Sequence, residues 1–311
     1  MVSRRGLAID GVLLLDKPAG LSSNHALQRA RRILNARKAG HTGTLDPFAT
    51  GLMVLCFGEA TKYSAGMFEA DKAYQATVQL GAETDTGDDT GHPLTGDPAA
   101  ADAWLADPAR VASDLSRFLG TIRQIPPMYS ALKRDGKPLY AYARQGIELE
   151  REAREVRILS LDLLAIEPAQ RRLRLEVACS KGTYIRTLAQ DIGRVCGAGA
   201  HLAALRRTST AGFTLAQALT LEQLEGLADP AASLLPVESL LAELPVAVLD
   251  AATAQRFALG QTVPAPPDAA AAAGQPLRVR DPDQHFLGTA CLAGKWLKPH
   301  RLMASHKESS P

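Results

Sequence analysis

Residues 40–51 read Gly40-His41-Thr42-Gly43-Thr44-Leu45-Asp46-Pro47-Phe48-Ala49-Thr50-Gly51. Glycines at this density let a backbone approach a ligand closely. Pro47 biases the preceding Asp46 toward extended backbone, which presents its carboxylate rigidly. The plainer alternative is a turn in which Asp46 bonds a nearby backbone N–H. A phosphate-cradling P-loop is excluded, because no Gly-Lys-Ser/Thr closes the glycine spacing.

Outward from this loop the chain alternates between strand and helix signals. On its N-terminal side, residues 8–15 read as a buried strand that ends in the turn cluster Asp16-Lys17-Pro18-Ala19-Gly20. Ser22 or Ser23 can cap a helix carrying Ala26, Leu27, Ala30, Ile33 and Leu34 at helical spacing, closed by Gly40. On its C-terminal side, Tyr74, Ala76, Val78 and Leu80 alternate with polar residues as in a half-buried strand. Tyr74 at that strand's start is either an edge packing residue or a site residue. Asp107-Pro108 opens a helix with Val111, Leu115, Phe118 and Leu119 inward, stopped by Gly120. Residues 121–136, with Pro126-Pro127, predict a long loop.

Leu173, Leu175, Val177 and Cys179 mark another strand. It turns at Ser180-Lys181-Gly182 into a helix with Ile185, Leu188, Ala189 and Ile192 inward. Tyr184 and Arg186 lie at that helix start, off the apolar stripe. Arg is the side chain that best pairs a carboxylate, although a surface position is equally open to it. Thr220 and Gln223 form a capping box. Beyond 245, Pro- and Ala-rich stretches separate short strand-like pieces at 246–249, 277–280 and 286–291, which suggests a small β-rich second domain. Residues 305–311 read as a frayed tail.

Composition bounds the function. The chain has 311 residues, 46% hydrophobic and 22% charged, which fits a globular protein of about two domains and excludes wholesale disorder. No apolar run approaches the length of a membrane helix or a signal-peptide core, so a cytoplasmic protein with no membrane contact is expected. Cys56, Cys179, Cys196 and Cys291 have no paired spacing and read as reduced, mostly buried thiols. The segment Gly81–Gly91 hints at calcium, but Gly87 falls at a ligand position, Thr90 where glycine is required, and Gly96 replaces the final Glu. No metal site is expected. Net charge is only +2, yet residues 1–40 and 171–207 each hold eight Lys/Arg against two Asp/Glu. Residues 83–117 hold two against eight. Separated basic patches suit a polyanion, and solvated faces give the same pattern.

Four of these segments, in this order, resemble the bacterial tRNA pseudouridine-55 synthase family. The matching stretches are residues 16–23, 40–51, 71–91, 124–133, 139–146, 179–187 and 201–207. The resemblance implies an α+β fold: a mixed, largely antiparallel sheet flanked by helices over 1–245, with RNA-contacting insertions at about 83–152. A small β-rich PUA-like RNA-binding domain follows over 246–304. It implies isomerisation of uridine-55 in the tRNA T-loop to pseudouridine, without cofactor or metal. Carried over by position, Asp46 is the catalytic nucleophile or carboxylate, Tyr74 and Arg186 assist it, and His41, Tyr74, Tyr184 and Leu205 line the uridine pocket. Partners are the tRNA T-arm and other RNAs with a T-loop-like fold; a monomer with no obligate protein partner is implied. Two departures are His25, where similar sequences have Asp, and Phe48, where Leu is commoner.

The residues make chemical sense by themselves. Breaking a glycosidic bond leaves positive charge at C1′ or requires loss of a C2′ proton, and an ionised Asp46 serves either route. Arg186 is expected to keep Asp46 ionised. A base stacked in folded RNA must be flipped out to be reached. The basic blocks at 1–40 and 171–207 are expected to hold phosphates. Two other classes share parts of this pattern: a non-catalytic tRNA-binding or chaperoning protein, and a metal-dependent hydrolase using His41 and Asp46.

Overall fold

The computed structural model describes residues 6–271 and 274–304, so the tail read at 305–311 lies outside the described residues. Strands of the main sheet are β1 (Gly11–Lys17), β2 (Ala39–His41), β3 (Thr50–Phe57), β4 (Lys72–Leu80) and β5 (Gly120–Gln124). A two-residue hairpin, β6 (Lys133–Arg134) and β7 (Lys137–Pro138), stands apart. The main sheet resumes with β8 (Arg154–Glu167), β9 (Arg172–Cys179), β10 (Ala200–Thr210) and β11 (Phe213–Thr214). Its order is β1-β3-β10-β4-β9-β8-β5, with β2 on β3 and β11 on β10. Every pairing is antiparallel except β3 with β10, so the sheet is mixed and largely antiparallel, as expected.

Residues 12–15 of β1 are all apolar because the strand is covered on both faces there. Leu13 and Leu15 point into a core roofed by α1 (Ser23–Ile33), α3 (Pro98–Leu105), α4 (Pro108–Ser116), α6 (Ile185–Cys196) and α7 (Leu221–Glu225). Val12 and Leu14 point the other way, onto Tyr63, Met67 of α2 (Ala65–Glu69), Phe213 and Val237. A short α5 (Leu139–Ala143) follows the hairpin.

A second, five-stranded sheet consists of β12 (Val246–Val248), β13 (Val263–Pro264), β14 (Pro276–Arg280), β15 (Phe286–Ala293) and β16 (Trp296–Leu302). With α8 (Ala251–Ala258) it buries its own core of Phe257, Val263, Leu277, Val279 and Leu297. It is also fastened to the rest. Phe286 and Met303 pack on the second core, the Phe286 ring lies edge-on to Tyr63 at 5.5 Å, and Glu238 takes ion pairs from Arg278 and Arg280.

Several local expectations change. The helix after Ser22 ends at Ile33, well short of Gly40, because Asn35 takes a left-handed backbone at φ 46. Gly40 lies in β2 instead. Ser22 is the cap, and Ser23 does other work. The helix at 108 stops at Ser116, leaving Leu119 exposed and Phe118 only partly buried. The long loop foreseen at 121–136 begins within β5 and ends in the β6–β7 hairpin, whose second strand lies just beyond it. Cys56, Cys179 and Cys196 are buried free thiols, and Cys291 is half-buried.

The parallel contact between β3 and β10 is the join that shapes the site. There Gly51 sits at φ +101 against the backbone of Arg207, where an added Cβ would collide. Gly51→Ala is therefore expected to cost at least about 2 kcal/mol of stability in urea denaturation, from positive-φ strain plus the clash. A loss below about 0.5 kcal/mol would mean the two strands separate without penalty.

Candidate active site

The loop of residues 42–49 hangs between β2 and β3 and is pinned from beneath. Lys17, fully buried, donates through Nζ to the carbonyls of Pro18 (2.8 Å), Leu21 (2.7 Å) and Pro47 (3.3 Å). All three ammonium donors are thereby used. Burial pushes the Lys17 amine down to about 8, an effect that Asp46 opposes and Arg207 reinforces. Ser23 Oγ donates to the Leu45 carbonyl and accepts from the Leu45 N–H, both at 2.7 Å. Asp46 does begin a turn, its carbonyl accepting from Ala49 N–H at 3.2 Å. Among the described residues its side chain bonds no backbone N–H there. Instead Asp46 Oδ2 lies 3.0 Å from Nε of Arg186.

Arg186 is only 5% exposed, so every guanidinium N–H needs an acceptor. Nη1 donates to the Thr86 carbonyl at 2.8 Å and lies 3.7 Å from Asp88 Oδ2. Nη2 donates to the Tyr129 carbonyl. Three segments that are distant in sequence therefore converge on one side chain. The reading of Arg186 as a surface residue fails because the loop at 81–91 and the 124–131 segment cover the helix start.

A cleft of about 240 Å³ opens over this pair. Asp46, Tyr74, Tyr184, Arg186 and Leu205 all line it, together with Lys72, Ser130 and Arg207. His41 does not. It stands on β2 behind the loop, and burial with the Arg207 charge lowers its imidazole pKa and favours the neutral ring. Tyr74 is buried, and burial pushes its phenol up against the opposing Arg207 charge. Tyr184 is held through its backbone by Gln124, whose amide accepts from the Tyr184 N–H at 3.0 Å and donates to its carbonyl at 3.3 Å. Arg207, 3% exposed, donates to the carbonyls of Leu52 (2.7 Å) and Gly43 (3.3 Å) and so ties β10 to both ends of the loop.

The electrostatics correct one expectation. Arg186 does pull the Asp46 carboxyl down, but burial, reinforced by Asp88, outweighs it and leaves the carboxyl above the ordinary carboxylate value. Asp46 is thus a carboxylate that costs energy to hold, a condition common to reactive groups. Asp88, Lys17, Arg207 and Gln124 escape a sequence reading. Asp88 sits in the segment whose residues hint at calcium, although an acid there is also the partner a buried arginine needs. Among the described residues the only group with metal-ligand spacing is Asp281, Asp283 and His285, on the β14–β15 turn and outside this cleft.

Residues 31–185 match the profile of the TruB family pseudouridylate synthase N-terminal domain. Residues 186–242 match the tRNA pseudouridylate synthase B C-terminal domain, and 245–303 match the pseudouridine synthase II TruB C-terminal domain. The chain is 62% identical over 245 residues to tRNA pseudouridine synthase B of Bordetella pertussis, covering 78% of this chain and 98% of that one. It is 52% identical over 305 residues to the protein of that name in Burkholderia mallei, covering 96% and 98%. The chain belongs to the TruB family. Among solved structures, a Cbf5-Nop10-Gar1 complex contains a chain with a TM-score of 0.70 at 24% identity, over 94% of this chain and 84% of that one. At that identity the likeness concerns the fold. The first two TruB profiles meet at the start of α6, where Arg186 stands.

The raised Asp46 carboxyl sets a pH test for this TruB-family site. If the ionised form acts, the rate climbs with pH along a limb above the usual carboxylate range. Asp88→Asn removes a like charge and is expected to move that limb to lower pH. Single-turnover rates measured upward from the ordinary carboxylate range read it directly. A limb that stays in place in the variant would separate Asp88 from Asp46.

Proposed function

We propose that this protein isomerises uridine-55 of tRNA to pseudouridine, with Asp46 as the essential carboxylate. The observation that carries the reading is the ion pair between Asp46 and the buried Arg186 at the floor of a cleft walled by Tyr74, Tyr184 and Leu205, in a TruB-family chain. Arg186 fixes Oδ2, and Oδ1 has no such contact among the described residues. That leaves one oxygen for the sugar, either at C1′ or toward the C2′ proton. The bond from N1 to C1′ breaks, the base turns within the cleft, and C5 bonds to C1′. The C5 proton leaves and N1 gains one, so the reaction balances without oxidant or cofactor. Tyr74 supplies a ring and a buried hydroxyl beside Arg207 for holding the base and handling that proton. We assign His41, on β2 and outside the cleft lining, to the RNA from which the base has been flipped rather than to the base itself.

The RNA-facing charge differs from the simple block reading. In 171–207, Arg171 pairs Asp102, Arg172 bonds Gln79, Lys181 pairs Glu69, Arg194 pairs Asp191, and Arg206 pairs Asp16. With Arg186 and Arg207 engaged internally, Arg174 remains. Arg32, Arg37 and Lys38 at the end of α1 are exposed, as are Lys295, Lys298 and Arg301 near β16. We assign the phosphate contacts to these two groups, and the RNA-binding role over 246–304 to the second. Among the described residues no helix is long and apolar enough to cross a membrane. We propose that the protein works as a monomer in the cytoplasm.

Asp46→Asn is expected to abolish turnover and keep tRNA affinity. Tritium release from C5-labelled tRNA above about 1% of the normal rate would sink the assignment, since losing an essential nucleophile costs far more than 10²-fold. Deleting the second sheet is a poor test of its role, because it would strip Phe286 and Met303 from a core they share with Tyr63. The Lys295→Ala, Lys298→Ala, Arg301→Ala triple variant leaves that core alone. It is expected to weaken tRNA binding and to flatten the log affinity against log salt plot by roughly 0.7 to 0.9 for each phosphate no longer neutralised. An unchanged slope would remove the RNA role from this surface.

A further inference from the structure

Helix α6 carries Tyr184 at its N-cap and Arg186 in its first turn, so the place where the helix starts decides where both cleft residues stand. Tyr184 caps the helix without a side-chain hydrogen bond. Its backbone is held instead by Gln124, the last residue of β5, which is 2% exposed. Oε1 of Gln124 accepts from the Tyr184 N–H at 3.0 Å, and Nε2 donates to the Tyr184 carbonyl at 3.3 Å. One side-chain amide thus meets both polar groups of one residue, as a neighbouring strand would. The ladder of the sheet does not make this connection, because β8 lies between β5 and β9, the strand that leads into α6. Further along the chain, the Tyr129 carbonyl accepts from Nη2 of Arg186. Between these two contacts stand Pro126, which is buried, and Pro127, which is half-buried. Each proline fixes its own φ, restricts the residue before it, and brings no N–H that burial would leave unpaired. The stretch 124–129 is therefore a stiff brace, tied to Tyr184 at one end and to Arg186 at the other.

We infer that Gln124 is a positioning residue: through the 124–129 brace it fixes the start of α6 and so holds Arg186 in line with Asp46. The inference rests on the assignment of Asp46 and Arg186 made above. Gln124 does not line the cleft and acts through the residues it braces. The task needs a side chain that accepts and donates at once. A glutamine amide does both at any pH, whereas an ionised carboxylate only accepts. Without the amide a buried N–H loses its acceptor and the near end of the brace comes free of α6, leaving Arg186 to follow the segment it holds. The consequence reaches Asp46 as charge. Burial raises the Asp46 carboxyl, Arg186 opposes that, Asp88 adds to it, and Lys17 opposes it. A guanidinium that no longer stays 3.0 Å from Oδ2 favours the ionised carboxyl less, so the carboxyl rises further.

The experiment compares the full-length protein with Gln124→Met, which keeps the length of the side chain and removes both hydrogen bonds. Folding is checked by circular dichroism and urea denaturation, and tRNA affinity by filter binding. Single-turnover tritium release from C5-labelled tRNA is followed upward in pH from the ordinary carboxylate range. Two effects are expected together. The plateau rate falls about tenfold at unchanged tRNA affinity. The acid limb moves to higher pH, opposite to the shift expected for Asp88→Asn, because a weakened attraction raises a carboxyl and the loss of a like charge lowers it. A purely structural role would lower the folded fraction and leave the limb in place. A plateau within about twofold of normal, or a slower rate with the limb unmoved, would overturn the brace. Should Gln124→Met fail to fold, Pro127→Gly frees the backbone between the two anchors and leaves both bonded. The same upward displacement of the limb is expected there, and an unmoved limb would overturn the inference equally. Failure of the active-site assignment would show separately, as turnover by Asp46→Asn.

Discussion

A guanidinium that is 5% exposed must have its N–H groups met by acceptors, and this requirement at Arg186 organises the rest of the site. Helix α6 supplies the arginine, the loop before β3 supplies Asp46, the segment after β4 supplies Asp88 and the Thr86 carbonyl, and the stretch after β5 supplies the Tyr129 carbonyl. Four parts of the chain must each be in place before any one of them is satisfied. Removing one acceptor would leave a buried donor uncompensated, which is costlier than the bond itself is favourable. The convergence therefore confers a single geometry on Asp46 and makes that geometry sensitive to distant contacts.

The same economy governs the other buried cations. Lys17 and Arg207 make no ion pair among the described residues; each is satisfied by main-chain carbonyls of the segments it connects. They act as fasteners for the 42–49 loop, and their charges bias Asp46, His41 and Tyr74 from behind. Most of the basic residues in 171–207 are spent in this way or on paired carboxylates at the surface. Charge density along a sequence thus overstates the charge that a polyanion meets, because pairing partners come from elsewhere in the chain.

Much of the framework is legible before folding is considered. The strands at 72–80 and 172–179 and the helix from 185 alternate cleanly because each buries one face. The longest strand, β8, is not legible. Register shifts between Ile158 and Ser160 and between Leu163 and Ala165 reverse which residues face inward, so its alternation breaks twice within fourteen residues. The end of α1 is equally hidden, because one asparagine in a left-handed conformation closes it without glycine.

The sequence by itself marked the strands at 72–80 and 172–179, the helix from 185 and the motif order that resembles the family. Periodicity and capping are local, whereas Asp46, Tyr74, Tyr184, Arg186 and Leu205 entered as pocket residues through that resemblance, and the structure brings all five to one cleft. Only the tertiary structure decided that Lys17, read as part of a turn cluster, is the fully buried support of the loop, that His41 does not line the cleft, and that Asp88 belongs to the site. It also decided the sign of the Asp46 shift. A sequence shows that a carboxylate has a possible cationic partner, whereas the loss of water around it depends on how many distant segments close over the same place.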